Sequence, residues 1–237
     1  MIASFYIGWD VGGWNCDKNT TSRDALLILD ADLSIVGTPW RGNLRSAINQ
    51  ASTTLDWLTA LFALCKEEAP TESVHVTLAI DTPLGFSEPL VRLLTKQQHA
   101  GTIGESSSNP YLFRTTERFL FEHGLRPLSP IKDMIGSQAT KGMHVLAKFA
   151  SAVARCGVWT DGDYLTALEA YPSPCRASET VQGLLAKYSA LDHPDKQDAL
   201  ICALIGYLFS ESPEELAQPD GSVPTSEGWI WVPRDVL

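Results

Sequence analysis

An α/β domain is the fold class that the sequence predicts: a mixed five-stranded sheet flanked by helices, running over residues 1–237 with a helical insertion at about 84–139. Three observations predict it. Two apolar runs end in an acid, residues 3–9 before Asp10 and residues 73–81 closing on Asp81, as buried strands of a sheet do. Three segments, 48–68, 140–157 and 195–210, carry apolar residues at helical spacing. The chain opens with strands only, then alternates helix and strand, which is the pattern of a sheet with both faces covered.

Taken in order, Gly12 and Gly13 make a turn after the first strand. Residues 25–37 read as two strands joined by a tight Asp-Ala-Asp turn, giving an antiparallel meander. Leu55, Leu58, Leu61, Phe62 and Cys65 define one face of the helix at 48–68. The 73–81 strand is β-branched and ends before Thr-Pro, as a buried parallel strand. From 83 to about 136 the pattern is irregular, with one or two short helices and a Gly/Ser-rich patch at 101–108. The helix at 140–157 stops at Gly157. Residues 163–171 form a strand carrying Glu169 and stopped by prolines, and residues 195–210 the last helix. Trp229 and Trp231 share one face of a tail that reads as a short strand or an extended clip, either an oligomer interface or a cover for the sheet edge. The order β-β-β-α-β-(insert)-α-β-α-α matches a ribonuclease-H-like three-layer topology. Ligands of such sheets bind beyond the carboxyl ends of the parallel strands.

The acids collect at those ends. Asp10 and Asp81 close strands, and Asp195 and Asp198 open the last helix three residues apart, on one face. Glu169 sits near the end of a third strand. Taken singly, the helix pair reads as cap and first-turn residues, and Asp10 and Asp81 as turn formers. Together they predict a carboxylate cluster, whose like charges need a proton or a cation. Oxygen donors select Mg²⁺ or Mn²⁺, and two such ions about 4 Å apart activate water and steady the leaving oxygen of a phosphodiester.

Seven stretches resemble the DUF429 family of predicted nucleases with a ribonuclease-H-like fold: GWDVGG (8–13), AIDTPLGF (79–86), NPYLFRTTERFL (109–120), SPIKDMIGSQATKGM (129–143), LEAYPSPC (168–175), DKQDALICAL (195–204) and EGWIWVP (227–233). They cover almost the whole chain in order. DKQDALICAL also resembles the last acidic motif of RuvC-type resolvases. The resemblance implies that Asp10, Asp81, Asp195 and Asp198 are the metal-binding and catalytic set of a nuclease.

Other side chains have smaller claims. Arg114, Glu117 and Arg118 share a face of a short insert helix, where arginine forks suit phosphate. Lys132, Ser137, Gln138 and Lys141 surround a loop feeding a helix N-terminus, an anion site or an ordinary cap. Arg114, Arg118, Lys132 and Lys141 are thus the candidate substrate-binding cations. His193 is a candidate proton carrier or a surface residue, and Trp14 and Tyr171 are base-stacking or core aromatics.

Composition narrows the partners. The formal net charge is −10, so the chain as a whole does not steer towards polyanions, and the expected nucleic acid or nucleotide substrate is of no assigned type. Five cysteines without CxxC spacing indicate neither a disulfide framework nor a zinc knuckle, and fit a cytoplasmic setting. The N-terminus reads as no signal peptide, and no stretch approaches the ~20 apolar residues that span a membrane. Two rival readings stand beside the nuclease. GWDVGG resembles the phosphate loop of actin-like ATPases and sugar kinases, although those use two copies of the unit. A non-catalytic binding module is the other.

Overall fold

A computed structural model describes residues 3–70 and 74–237. Ser73, first residue of one expected strand, lies outside them. Among the described residues the sheet has eight strands rather than five. In chain order they are β1 (Ala3–Asp10), β2 (Asp24–Asp30), β3 (Trp40–Gly42), β4 (Val74–Asp81), β5 (Ala152–Arg155), β6 (Val158–Thr160), β7 (Leu165–Ala170) and β8 (Ile230–Trp231). The spatial order is β3-β2-β1-β4-β7-β6-β5, and β8 pairs with the end of β7. β1, β4 and β7 are parallel, as are β7 and β8, while β2, β3, β5 and β6 pair antiparallel to their neighbours. The sheet is therefore mixed, as expected, and helices cover both faces.

Side-chain alternation sorts the core into two layers. Ile7 and Trp9 of β1, Leu78 and Ile80 of β4, and Leu165 and Ala167 of β7 face one side. There they meet α1 (Arg45–Gln50), α2 (Thr54–Leu64) and α5 (Gly136–Phe149). Tyr6, Ala79, Leu168 and Ala170 face the other, against α8 (Pro194–Glu211). The remaining helices are α3 (Glu88–Lys96) and α4 (Thr115–Glu122) in the insertion, and α6 (Pro172–Cys175) and α7 (Glu179–Leu185) after β7. Helix α8 buries Leu200, Ile201, Leu204, Ile205 and Leu208, on the order of 10 kcal/mol of apolar burial.

Gly8 lets α8 lie close to β1. A Cβ there would overlap the carbonyl oxygen of Ala199. Gly8→Ala is therefore expected to cost at least about 2 kcal/mol, read as a lowered denaturation midpoint, because backbone rather than a flexible side chain must yield.

Three expectations are corrected. The helix at 48–68 is two helices, because Thr53 and Asp56 form a capping box that starts α2 afresh. The helix expected to end at Gly157 ends at Phe149, and residues 152–160 form a hairpin whose turn uses Gly157 at φ +71°. The meander's third strand is Trp40–Gly42, because Leu33 at φ +61° and Gly37 at φ +67° turn the chain and leave Ile35 only a single bridge to Leu29. The tail does form a strand, but Trp229 and Trp231 are buried and donate to the carbonyls of Ala217 and Gly157 at 2.9 Å. They cover this chain's own sheet and offer no interface.

No helix among the described residues is long and apolar enough to cross a membrane. All five cysteines are free thiols.

Candidate functional site

Asp10 and Asp81 are direct register partners at the ends of the neighbouring parallel strands β1 and β4. Adjacent strands lie roughly 4.8 Å apart, so the two carboxylates emerge side by side. Alternation points both to the face that carries α8, whose first turns hold Asp195 and Asp198. Burial pushes the Asp10 carboxyl well above the usual range, and the charges of Asp81, Asp195, Asp198 and Asp24 push it further. Asp81 is pushed up to about 8, first by burial and then by Asp198 and Glu169, with Arg176 opposing. The four aspartates expected at one crevice thus share one electrostatic field.

They do not share it equally. Asp195 is engaged: its Oδ2 accepts from Arg41 Nε at 2.8 Å and from the Arg23 amide at 3.1 Å. Asp198 is ion-paired to Arg176 at the C-terminal end of α6, and burial raises its proton affinity more than that pair lowers it. Neither Asp10 nor Asp81 accepts a hydrogen bond or an ion pair from another described residue. With no partner to offset burial and the neighbouring negative charges, their proton affinities rise.

Glu169 is already engaged. It lies opposite Ile80 in register, on the α5 side of the sheet, and its charge still reaches Asp81 at the strand ends. Arg114 grips it with two nitrogens, at 2.6 and 2.8 Å, and the Leu84 amide donates to it at 2.8 Å. It is the partner of a basic residue of the insertion rather than a cluster ligand. Arg114 is correspondingly not a phosphate contact. It is 1 % exposed and saturated by Glu117, Glu169 and the Glu227 carbonyl. Glu227 also accepts from the amides of Glu88 and Thr115 at 2.8 and 2.6 Å, which ties the insertion to the tail.

Lys141 is likewise withdrawn. It is fully buried and paired with Asp24, whose carboxylate also takes the Trp9 indole, the Gly12 amide and the Leu44 amide. This knot fixes the GWDVGG turn from within. Ser137 and Thr140, in the first turns of α5, accept from the amide and indole of Trp14 at 3.0 and 3.1 Å, so the hydroxyls at the start of that helix are engaged by Trp14. Lys132 sits 3.5 Å from Asp133 and over the Phe113 ring, and Arg118 is half-buried on α4, both outside the cavity described next. His193 is the N-cap of α8, with Nδ1 accepting from the Asp195 amide at 3.1 Å.

A cavity of about 420 Å³ opens over the strand ends. Asp10, Asp81, Thr82 and the Arg114-bound Glu169 line it from the sheet, Tyr171 and Ser173 from the β7–α6 junction, and Arg126, Leu128 and Gln138 from the insertion and α5. The Thr82 hydroxyl is buried without a hydrogen-bond partner among the described residues. Sequence reasoning passed over Thr82 and Arg126. Only the folded arrangement marks them, one by its lonely hydroxyl, the other by its position in the wall.

The donor set suits a hard divalent cation, being carboxylate oxygen throughout with uncompensated charge. As placed, no three His, Cys, Asp or Glu side chains among the described residues stand close enough to hold one jointly. Arg176 on Asp198 and Arg41 on Asp195 are the cations present instead. No family model, curated protein or solved structure matches the chain.

Proposed function

We propose that this chain is a divalent-metal-dependent phosphodiester hydrolase with a ribonuclease-H-like core. The observation that carries the reading is the in-register pair Asp10–Asp81, unpartnered and charge-strained at the ends of parallel strands, with Asp198 in the same field. The strand run β3-β2-β1-β4-β7, antiparallel then parallel, supports the fold half of the reading. Asp10, Asp81 and Asp198 would hold Mg²⁺ or Mn²⁺. Asp195 contributes its charge from the second rank, since Arg41 and the Arg23 amide already occupy it.

When bound, the metal would supply a water of lowered pKa and a charge clamp on the phosphate. The chain's own part is different. β1 and β4 fix two carboxylates at strand spacing, and the insertion walls the cavity against bulk water. Asp198 must exchange its guanidinium partner for the ion. Arg176, once released, stays at the rim as a cation for the phosphate.

The actin-like reading is weakened at the loop that suggested it, because the Gly12 amide is donated to Asp24 at 2.9 Å and is not free for a phosphate.

A thermal melt in rising Mn²⁺ tests the proposal. At a hundredfold excess over Kd a bound ion adds about 2.7 kcal/mol, or about 5–10 °C for a chain of this size. Asp10→Asn is expected to remove that rise together with Mn²⁺-dependent cleavage of a simple phosphodiester. Arg176→Gln is expected to bring the rise on at lower Mn²⁺. A melt indifferent to Mn²⁺ but raised by ATP would refute the hydrolase reading in favour of the phosphotransferase one.

A further inference from the structure

The geometry points to a single unpaired nucleotide as the occupant of the 420 Å³ cavity, its phosphate at the Asp10–Asp81–Thr82 end and its base against Tyr171 and Leu128. This rests on the metal-dependent reading above and names the substrate class for the same site.

Size is the first support. The cavity falls in the roughly 300–1,000 Å³ range of sites that enclose one small organic molecule. A stacked, paired base cannot enter such a hollow without being extruded from its duplex. The walls are the second. Apart from the carboxylates and the polar side chains of Thr82, Arg126, Gln138 and Ser173, they are apolar and partly aromatic: Val11, Pro83, Pro127, Leu128, Ile230 and the half-buried ring of Tyr171. A ring face suits any base, because stacking does not depend on sequence. Leu128, in the same wall, is 55 % exposed and leaves apolar surface uncovered there.

Thr82 is the third and independent support. The residue is 4 % exposed and lines the cavity, yet its hydroxyl has no partner among the described residues. An unsatisfied buried hydroxyl is a standing cost to the fold, and a phosphate oxygen next to Asp81 would satisfy it. Gly142 leaves room for the Thr82 methyl, which holds the residue in place from the helix side. Charge is the fourth. A chain of net charge −10 disfavours a long polyanion far more than one nucleotide with its one or two charges. Arg126, exposed and without a carboxylate partner among the described residues, stands at the mouth where a phosphate leaves or a strand continues.

Calorimetric titration in Mn²⁺ tests this with four probes: thymidine 5′-monophosphate, inorganic phosphate, and hydrolysis-resistant phosphorothioate duplexes with a blunt or a short unpaired end. The mononucleotide and the unpaired end are expected to bind at least about tenfold more tightly than inorganic phosphate and the blunt duplex. Tight binding of the mononucleotide alone identifies a free nucleotide as the source; tight binding of both extends it to strand ends. Tyr171→Ala is expected to lose about tenfold in nucleotide affinity and Tyr171→Phe to keep it, with the Mn²⁺ melting shift intact in both. Thr82→Val is expected to melt higher without ligand and to bind the nucleotide about fivefold more weakly. A mononucleotide no tighter than phosphate, or a blunt duplex as tight as the unpaired end, overturns the inference while the Mn²⁺ shift leaves the metal reading standing. Unchanged affinity in Thr82→Val overturns the role of its hydroxyl. Loss of the Mn²⁺ shift in the unaltered protein overturns the reading beneath both.

Discussion

Asp81→Asn raises the melting temperature of the metal-free protein and abolishes its response to Mn²⁺. The Asp81 carboxyl is pushed up to about 8 in the fold, above the ordinary carboxylate value that the unfolded chain restores. Folding therefore takes up a proton between those two values. Stability is greatest below the unfolded value near pH 4 and falls as pH rises towards 8, the reverse of the usual salt-bridged aspartate. The size of the shift sets an upper bound of about 6 kcal/mol. The carboxyl is partly open to water, and screening lowers the expected gain to about 2–3 kcal/mol at pH 8. That corresponds to about 5–10 °C. Melting curves between pH 5 and pH 8.5 check the claim. The parent should lose stability across the window and the asparagine variant should be flatter. A parent curve that rises with pH would mean Asp81 is ionised and partnered, and the strained carboxylate pair would go with it.

Arg114→Met produces the largest loss of stability among single changes. Its guanidinium is the shared counter-ion of two fully enclosed carboxylates, Glu117 and Glu169, and also caps the Glu227 carbonyl. Removing one member of a buried ion pair leaves uncompensated charge and costs about 3–5 kcal/mol; here two carboxylates are stranded, so the upper end is expected. Urea denaturation measures it. Adding Glu169→Gln to the Arg114→Met variant should recover part of the loss, a coupling that a double-mutant cycle resolves. Glu169→Gln alone should keep the Mn²⁺ melting shift, since both Glu169 oxygens are already taken by Arg114 and the Leu84 amide. Loss of that shift would restore Glu169 to the metal set.

The contrast between these two residues shows what primary sequence makes legible. Asp10, Asp81, Asp195 and Asp198 are readable because each ends a strand or starts a helix, and element ends are where periodicity stops. The split between them is not. Nothing local distinguishes Asp195, which Arg41 reaches from 154 positions away, from Asp198, which Arg176 reaches from the end of α6. Arg114 and Lys141 look like surface cations in any window of the chain, because long charged side chains are rarely enclosed. Their partners Glu169 and Asp24 lie 55 and 117 positions away. Glu169 is half legible: Leu165 and Ala167 share its parity and Leu168 and Ala170 do not, which already assigns it to the other face from the strand ends' aspartates.

The secondary-structure corrections have equally local causes. Ser52-Thr53-Thr54 offers side-chain acceptors that compete with helix continuation, and Thr53 uses one with Asp56 to begin again. Ala152–Arg155 keeps helix-like composition but is drawn into the sheet through β6, a tertiary preference that overrides propensity.

The knot around Glu227 has a bearing on the order in which the molecule is completed. A polypeptide emerging from its N-terminus holds all four aspartates once residue 198 is out. Glu227, which fastens Arg114 and the amides of Glu88 and Thr115, and β8, which seals the end of β7, arrive about thirty residues later. Until then the end of β7 lacks its β8 partner and the cavity over Asp10 and Asp81 lacks Ile230 from its wall. Cleavage between residues 198 and 227 would therefore leave most of the sheet in place but detach the Glu227 ties that hold the insertion to it.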